Sequence, residues 1–269
     1  MKIIDCFIFY NEIEMLNYRL NILNDVVDYF VIVESKYTFS GKEKKLFFEE
    51  NKHHFEKFKD KIIAIVMNDA PFKLNEISND NNKQWFNEVY QRNAIKIGLE
   101  NLSLNKEDAI IITDIDEIID PVLLWEIKKR EIPLDFYSLE FDMYYYNLNT
   151  KLSEKWNFPK ILSFQKYEEL NLSIDNIRIS SSCSFIIRKS GWHLSFFGNT
   201  DSIINKIESF SHQELNTEYF KNKERINIKI QNSEDLFERS ETTMHYIPIN
   251  ENDYLPVAYD TYLTNFYTL

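Results

Sequence analysis

The sequence predicts an α/β fold built on a mostly parallel, doubly wound sheet, and three observations support it. Strand-like and helix-like segments alternate through the first half of the chain. The strand-like segments are apolar runs that are typical of buried strands. With 269 residues, of which 44% are hydrophobic and 15% aromatic, the chain is long enough for one large domain with a substantial core.

The first half contains four predicted strands, each followed by a predicted helix. The strands are 3–10, 27–35, 61–67 and the apolar run that ends at Asp114; the helices are 11–23, about 48–59, 82–102 and Pro121 to about Arg130. This order indicates parallel strands with helices on both faces of the sheet.

The second half has a different pattern. Residues 135–149 are aromatic and predict a largely β segment, and residues 182–198 predict a hairpin with Gly191 near its turn. A helical tail is expected from about Asp201 to Phe237. Because the chain has no repeat and no low-complexity linker, we treat residues 1–269 as a single domain.

Composition excludes several classes of protein. A net charge of −12 argues against general nucleic-acid binding, and four glycines are too few for a dinucleotide fingerprint or a P-loop. Two cysteines, Cys6 and Cys183, give neither a disulfide framework nor metal-ligand spacing. The N-terminal stretch is too short and too polar for a signal peptide or anchor. We therefore expect a soluble, cytoplasmic protein without a transmembrane segment, which leaves peripheral association with a membrane open.

The stretch AIIITDIDEIIDP, residues 109–121, is the main candidate for chemistry. Carboxylates placed this close repel one another, and a divalent cation would relieve the repulsion. Mg²⁺ or Mn²⁺ held by one or two of them, with a diphosphate and water, is the expected arrangement. The alternative is helix capping, which accounts for Asp120 before Pro121. For Asp114 and Asp116, both interpretations stay open.

Read with its neighbours, this motif resembles a known family. The helix preceding it has the pattern W-x-x-E-x-x-QRNAI-x-x-GL, and the strand ends in DxDEI. Four further stretches, 25–41, 190–198, 206–216 and 230–237, are similar in the same order. Together they resemble glycosyltransferase family 17, the family of the enzyme that adds the bisecting GlcNAc to N-glycans. The resemblance covers roughly residues 1–250.

The resemblance implies a GT-A-type nucleotide-sugar-binding fold, a UDP-sugar donor, Mn²⁺ or Mg²⁺ as cofactor, and inversion at the anomeric carbon. It also implies a nucleotide-sugar-binding half, 1–133, followed by an acceptor half with the helical tail, 134–269. The acceptor would be a glycan, lipooligosaccharide or glycoprotein. GlcNAc is the leading candidate for the donor sugar.

By the same resemblance, Asp116 is the expected metal ligand, with Asp114 beside it near the donor ribose or sugar. Asn11 and Glu34 follow the first two strands and are candidates for binding the nucleoside. Arg92 is a candidate for the diphosphate or the donor sugar, although with Glu88 it also has the spacing of an ordinary helix-surface pair.

Two histidines have two interpretations each. His193, beside Trp192, is a candidate donor or metal contact or else a core residue satisfied by a backbone bond. His245 resembles the late histidine with which many GT-A enzymes close the metal site, and otherwise reads as an exposed loop residue.

An inverting transfer needs a general base for the acceptor hydroxyl. Glu214 is the expected base and Asp201 the rival, while either could be an ordinary helix-end charge. The aromatic residues at 144–146, Trp156 and Phe196 are candidates for an acceptor wall or for the core.

Two other functions are compatible with the motif. An aspartate-nucleophile phosphohydrolase would place its DxD on the first strand, whereas here it lies mid-chain. A catalytically inactive nucleotide-sugar or carbohydrate-binding protein would bind UDP without turnover. A loss of catalytic activity is disfavoured because the chain keeps Asp114, Asp116 and Arg92.

Overall fold

The structure is a computed structural model that describes residues 1–78 and 81–268. It contains two sheets. The strands are β1 Ile3–Phe9, β2 Tyr29–Ser35, β3 Ile62–Met67, β4 Ala109–Asp114, β5 Glu117–Ile119, β6 Phe136–Leu139, β7 Phe141–Tyr145, β8 Thr150–Trp156, β9 Lys160–Ser163, β10 Phe185–Ile187, β11 Gly191–Ser195 and β12 Met244–Tyr246. The seven-stranded sheet has the order β10-β6-β9-β4-β1-β2-β3, and the five-stranded sheet has the order β12-β8-β7-β11-β5.

Helices connect and cover these strands. They are α1 Ile13–Leu23, α2 Phe47–Asn51, α3 Lys83–Asn93, α4 Ile95–Glu100, α5 Pro121–Lys128, α6 Phe164–Leu170, α7 Ile174–Ile179, α8 Thr200–Ser209, α9 Lys223–Asn232 and α10 Tyr259–Tyr262. Short 3₁₀ helices lie at Lys52–Phe58, Leu74–Glu76, Gln213–Leu215, Ile249–Glu251 and Thr264–Phe266.

The predicted α/β class with a mostly parallel sheet is confirmed. Strands β1, β2, β3 and β4 pair in parallel, and β9 joins β4 in the antiparallel sense. Along β1, Ile3 and Phe7 pack into one apolar cluster, while Ile4 and Cys6 pack into another. Successive side chains of a strand point to opposite faces, so this central strand is buried on both sides.

The structure differs from prediction in three places. The predicted hairpin at 182–198 is wrong, because β10 pairs with β6 in the first sheet whereas β11 pairs with β5 and β7 in the second. The predicted helix 82–102 is two helices, α3 and α4. The helical tail is interrupted between α8 and α9. The first sheet also takes β6, β9 and β10 from beyond residue 133.

The parallel pairing brings the ends of three strands to one edge of the first sheet. Ile8 of β1 lies opposite Asp114 of β4, and Phe9 lies opposite Glu34 of β2. In open α/β sheets, ligands bind outside this carboxyl edge. The register therefore positions the acidic motif beside the segment that follows β1.

The chain beyond residue 249 packs back onto the main core. Leu263 is buried in the largest apolar cluster, and Trp192 donates its indole N–H to the carbonyl of Tyr254 at 3.1 Å. The Tyr254 hydroxyl donates to Asp120, which also caps α5 as predicted. This closing segment is therefore part of the folded unit.

Within residues 1–78 and 81–268, the helices are too short or too polar to cross a lipid bilayer.

Gly98 allows α4 to approach the first sheet closely. A Cβ atom at this position would lie 2.3 Å from Cγ1 of Val31 on β2.

We expect Gly98→Ala to lower the free energy of unfolding by about 1–2 kcal/mol, because the overpacking exceeds the gain of about 1 kcal/mol in helix propensity. Urea denaturation followed by circular dichroism measures this. Lys96→Ala on the exposed face of α4 is the control, and we expect a change within about 0.5 kcal/mol. An unchanged stability of Gly98→Ala would contradict the close packing.

Candidate functional site

Two adjoining cavities lie at the carboxyl edge of the first sheet. The first cavity is lined by Ile8, Phe9, Tyr10, Glu12, Tyr37, Thr38, Phe39, Lys44, Glu88, Gln91, Arg92, Asp114, Ile115, Asp116, Lys206, Ser209 and Phe210. The second cavity is lined by Asn11, Glu12, Ile13, Glu14, Met15, Asp116, Leu194, Phe196, Phe197, Gly198, Ser202, Ile203, Lys206 and Phe266. Glu12, Asp116 and Lys206 belong to both, so the acidic motif lies where the two cavities meet.

The turn after β4 is held by the side chain of a buried arginine. Arg19 of α1 donates to the carbonyl oxygens of Asp114 and Glu117 at 2.8 and 2.9 Å, and to that of Ile115 at 3.3 Å. Its guanidinium pairs with Asp5 of β1, and both side chains are fully buried. These contacts fix the backbone that carries the acidic motif.

Asp116 lies at the meeting point of the two cavities and is 7% exposed. Its Oδ2 accepts a hydrogen bond from Nζ of Lys206 at 2.7 Å, and its Oδ1 lies 3.6 Å from Nε2 of His193. Burial acts to raise the pKa of Asp116, but the charges of Lys206 and His193 outweigh it and hold the pKa well below its ordinary value. The carboxylate is therefore ionised at neutral pH.

Asp114 lies between two arginines. Its Oδ1 is 3.3 Å from Arg92 and its Oδ2 accepts from Arg178 at 2.8 Å. Burial acts to raise the pKa of Asp114, but Arg178 and then Arg92 lower it below its ordinary value. Arg92 also donates to Glu88 and Asp175, so the predicted ligand-binding arginine is part of a four-residue ion-pair cluster.

Glu117 lies beneath Asp114 and is fully buried. Both its oxygens accept from Arg178, at 2.5 and 2.8 Å, and Oε1 also accepts from the indole of Trp156. Oε2 accepts from the backbone N–H of Asp114 at 2.7 Å. Glu117 therefore has a structural role. Arg178, which was not identified from the sequence, links Glu117 to Asp114.

The two side chains predicted to bind the nucleoside occupy different places. Glu34 is buried, accepts from the backbone N–H groups of Phe47 and Phe48, and pairs with Lys44 at 3.1 Å, so it caps the start of α2. Asn11 lines the second cavity and donates to Asn205 at 3.0 Å.

Glu12 follows β1 at the carboxyl edge of the sheet and lines both cavities. Its Oε2 accepts from the backbone N–H groups of Tyr10 and Asn11 at 3.2 and 3.0 Å, which folds the chain at the exit of β1. Burial raises the pKa of Glu12 above its ordinary value, with Lys206 opposing and Asp116 adding to the shift. Glu12 therefore places a carboxyl group at the junction of the two cavities.

His193 of β11 is brought to the site. Its ring lies 4.7 Å from that of Trp156, and its Nδ1 is buried without a hydrogen-bond partner among the described residues. The N–H of the next residue, Leu194, donates to the carbonyl of Asp116 at 2.8 Å, so β11 is fastened to the acidic turn.

Like Glu34 and His193, three further predicted site residues line neither cavity in the described part of the chain. His245 lies on β12, an edge strand of the second sheet, and its Nε2 is 2.7 Å from the hydroxyl of Ser153. Glu214 is half-exposed and hydrogen-bonded to His212 at 2.7 Å. Asp201 is exposed in the first turn of α8 and pairs with Lys223.

The donor set limits how a metal ion could be held. In the described ranges, no three His, Cys, Asp or Glu side chains group as a ready metal site. Both oxygens of Asp114 face arginines, whereas Oδ1 of Asp116 lies 3.6 Å from Nε2 of His193, so of these two aspartates Asp116 has the oxygen more open to a cation. Mg²⁺ and Mn²⁺ sites with one carboxylate take their other ligands from phosphates and water, so Asp116 fits such a site together with a diphosphate ligand.

The pairing of Asp116 predicts a pH-dependent contribution to stability. Because its folded pKa is lowered, the contribution is fully present above the unfolded pKa of about 3.9 and is lost as the pH falls through the folded pKa. We expect the difference in unfolding free energy between the native chain and Asp116→Asn to be constant from pH 8 to 5 and to shrink by about 1 kcal/mol by pH 3. Denaturant titrations at each pH measure it.

The control for this comparison is Asp60→Asn, since Asp60 is an exposed acid distant in sequence from the motif. Denaturant titrations of Asp60→Asn over the same pH range control for the removal of one carboxylate. A native-minus-Asp116→Asn difference that grows on acidification would contradict the lowered pKa.

The sequence profile of glycosyltransferase family 17 matches residues 1–249. No curated protein matches the sequence. Among solved structures, the crystal structure of S. aureus TarS 1–349 is similar, at 12% identity and a TM-score of 0.41, over 90% of this chain and 74% of that chain. That likeness is distant and supports no conclusion about function. Because the family match spans nearly the whole sequence, the chain belongs to glycosyltransferase family 17.

Proposed function

We propose that the protein transfers a sugar from a UDP-sugar to a hydroxyl group of a glycan or glycoconjugate, with inversion and a GT-A-type donor site. GlcNAc is the leading candidate for the sugar. The observation that carries the proposal is the meeting of two cavities at Asp116. A transferase has to hold donor and acceptor on either side of one reacting carbon, and two joined cavities provide this geometry.

The first cavity suits the donor nucleotide. It is lined by aromatic rings that can face a base and by three cations that can face phosphates, namely Phe9, Tyr10, Tyr37, Phe39, Phe210, Lys44, Arg92 and Lys206. Cations offset the charge that a diphosphate would otherwise meet at Asp114 and Asp116. We therefore place the nucleoside toward the aromatic side and the diphosphate toward Asp116.

The second cavity suits the acceptor. Phe196, Phe197 and Phe266 supply apolar faces, and Asn11 and Ser202 supply polar groups. Sugar rings stack on aromatic faces and hydrogen-bond at their edges, so this lining fits a glycan, lipooligosaccharide or glycoprotein acceptor.

We propose that Mn²⁺ or Mg²⁺ binds with the donor, with Asp116 as its carboxylate ligand. When bound, the ion would supply Lewis-acid stabilisation of the diphosphate. We place Asp114, which is held between Arg92 and Arg178, beside the donor ribose or sugar. His193 positions Asp116. His245 lies on β12 and lines neither of the two described cavities.

The transfer step needs a base for the acceptor proton. Among the carboxylates considered, Glu12 lines both cavities, whereas Glu214 and Asp201 lie outside them in the described structure. We therefore propose Glu12 as the base and keep the other two as competitors. The acceptor oxygen bonds to the anomeric carbon, the bond from that carbon to the phosphate oxygen breaks, and the acceptor proton passes to the base.

We expect the native chain to hydrolyse one UDP-sugar slowly in the presence of Mn²⁺, and the activity to be lost with EDTA or in Asp116→Asn. Loss of the carboxylate should lower the rate by about 100-fold or more. UDP release measured across a panel of UDP-sugars tests this and identifies the donor. Asp60→Asn, which keeps the site intact, should match the native rate.

If no UDP-sugar is turned over, calorimetry with UDP and Mn²⁺ separates two outcomes. Tight UDP binding without turnover, whatever acceptor is added, would indicate a binding protein. Absence of UDP binding would contradict the assignment of the first cavity. Phosphate release from simple phosphomonoesters would instead indicate a phosphohydrolase.

The three candidate bases can be ranked by their amide variants. We expect Glu12→Gln to lower kcat for transfer by about 10²-fold or more with a smaller effect on KM, since general-base catalysis contributes about 10²–10⁴-fold. Asp201→Asn should change kcat by less than a few-fold, because that carboxylate is exposed. A large loss in Glu214→Gln with a near-native Glu12→Gln would reassign the base to Glu214.

A further inference from the structure

Lys206 is the cation shared by the two cavities. It lies on α8, its Nζ is 2.7 Å from Oδ2 of Asp116 and 5.0 Å from the centre of the Phe196 ring, and its side chain is 31% exposed. Neither family resemblance nor motif spacing assigned it a role. Lys206 nevertheless lies where a ligand that extends from one cavity into the other would pass.

The ammonium group retains capacity to bind a ligand. A lysine ammonium has three N–H donors, and within residues 1–78 and 81–268 its hydrogen-bond acceptor is Asp116. Two donors are therefore left for a ligand. A lysine used purely to neutralise a buried acid would not need to remain accessible from two cavities.

The other two cations of the first cavity are more fully engaged. Lys44 donates to Glu34 and to the carbonyl of Lys45, both at 3.1 Å. Arg92 donates through both terminal nitrogens to acids at 2.5–3.3 Å. Lys206 is the one of these three cations that lines both cavities, and it uses one of its three donors within the described residues.

An anion at this junction would be repelled by nearby carboxylates. Glu12 and Asp116 line the junction and repel it, while the chain as a whole carries −12. A diphosphate between the cavities therefore requires a local positive charge contributed by the protein or by its metal. Lys206 is placed to provide the protein's share.

We propose that Lys206 is a catalytic residue that donates hydrogen bonds to the diphosphate of the donor and stabilises it as it leaves. This rests on the proposed function. As the acceptor oxygen bonds to the anomeric carbon, the bond from that carbon to the phosphate oxygen breaks and its electron pair stays on the phosphate. The added negative charge develops beside the Lys206 ammonium, so no proton has to be transferred to the leaving group.

The test compares the binding of UDP and uridine by calorimetry in EDTA, where the protein's own cations act alone. The native chain should prefer UDP over uridine. In Lys206→Gln, which keeps a donor for Asp116 but removes the charge, that preference should fall by at least about tenfold while uridine affinity is unchanged. Lys206→Arg should retain most of the preference, and Lys223→Met controls for the loss of one positive charge outside the cavities.

Each outcome bears on the proposal. A UDP preference in EDTA that Lys206→Gln leaves intact, or that is absent from the native chain until Mn²⁺ is added, would overturn it. Failure of the native chain to bind UDP or uridine even with Mn²⁺ would show that the nucleotide site itself is misassigned. Thermal unfolding of each variant confirms that a loss of binding is not a loss of fold, and Lys206→Arg remains informative if Lys206→Gln does not fold.

Discussion

The ion pair between Arg19 and Asp5 is the constraint on which the rest of the site depends. Asp5 lies in the middle of the central strand, and Arg19 reaches across to hold three carbonyl oxygens of the turn that follows β4. Both side chains are fully buried, so neither charge can exchange its partner for water. Removal of one member of such a pair typically costs about 3–5 kcal/mol. The direction in which Asp114 and Asp116 leave the strand is therefore fixed by the core itself.

From this base the charges are arranged in layers. Guanidinium groups occupy the inner positions, where Arg178 joins Glu117 to Asp114 and Arg92 joins Asp114 to Asp175. A planar guanidinium can satisfy several fixed carboxylates at once. The outer position is taken by Lys206, which has a flexible stem and a compact charge. Rigid cations thus hold the acids in place, and an adaptable cation faces the cavities.

The sequence predicted the parts of this arrangement that depend on local pattern. The central strands, the cap at Asp120 and the placement of the acidic motif at a sheet edge follow from apolar runs and turn chemistry. Partners distant in sequence could not be predicted in this way. Arg178 is 61 residues from Glu117 and Lys206 is 90 residues from Asp116, and no spacing rule links them. Lys206 is the first residue of the stretch 206–216 that resembles the family, and this was the one signal in the sequence that pointed to Lys206.

Glu34 and the segment 182–198 show how tertiary packing decides what local sequence patterns leave open. Glu34 does end its strand at the correct edge, but the chain folds α2 over it and uses the carboxylate to bind two backbone N–H groups. In the segment 182–198, local propensity suggested two strands paired with each other. The close approach of Gly191 to the carbonyl of Ile118, 2.3 Å for an added Cβ, shows instead that β11 is fitted against β5. Tertiary packing decided the partner in both cases.

The segment after residue 249 contributes to both the core and the second cavity. The part of the chain shared with the family stops there, yet Leu263 fills the main core and Phe266 forms part of the wall of the second cavity. The residues that line the first cavity all lie within the matched range, whereas Phe266 of the second cavity lies outside it. A change in the segment that carries Phe266 would therefore alter the wall of the second cavity without replacing any residue that lines the first.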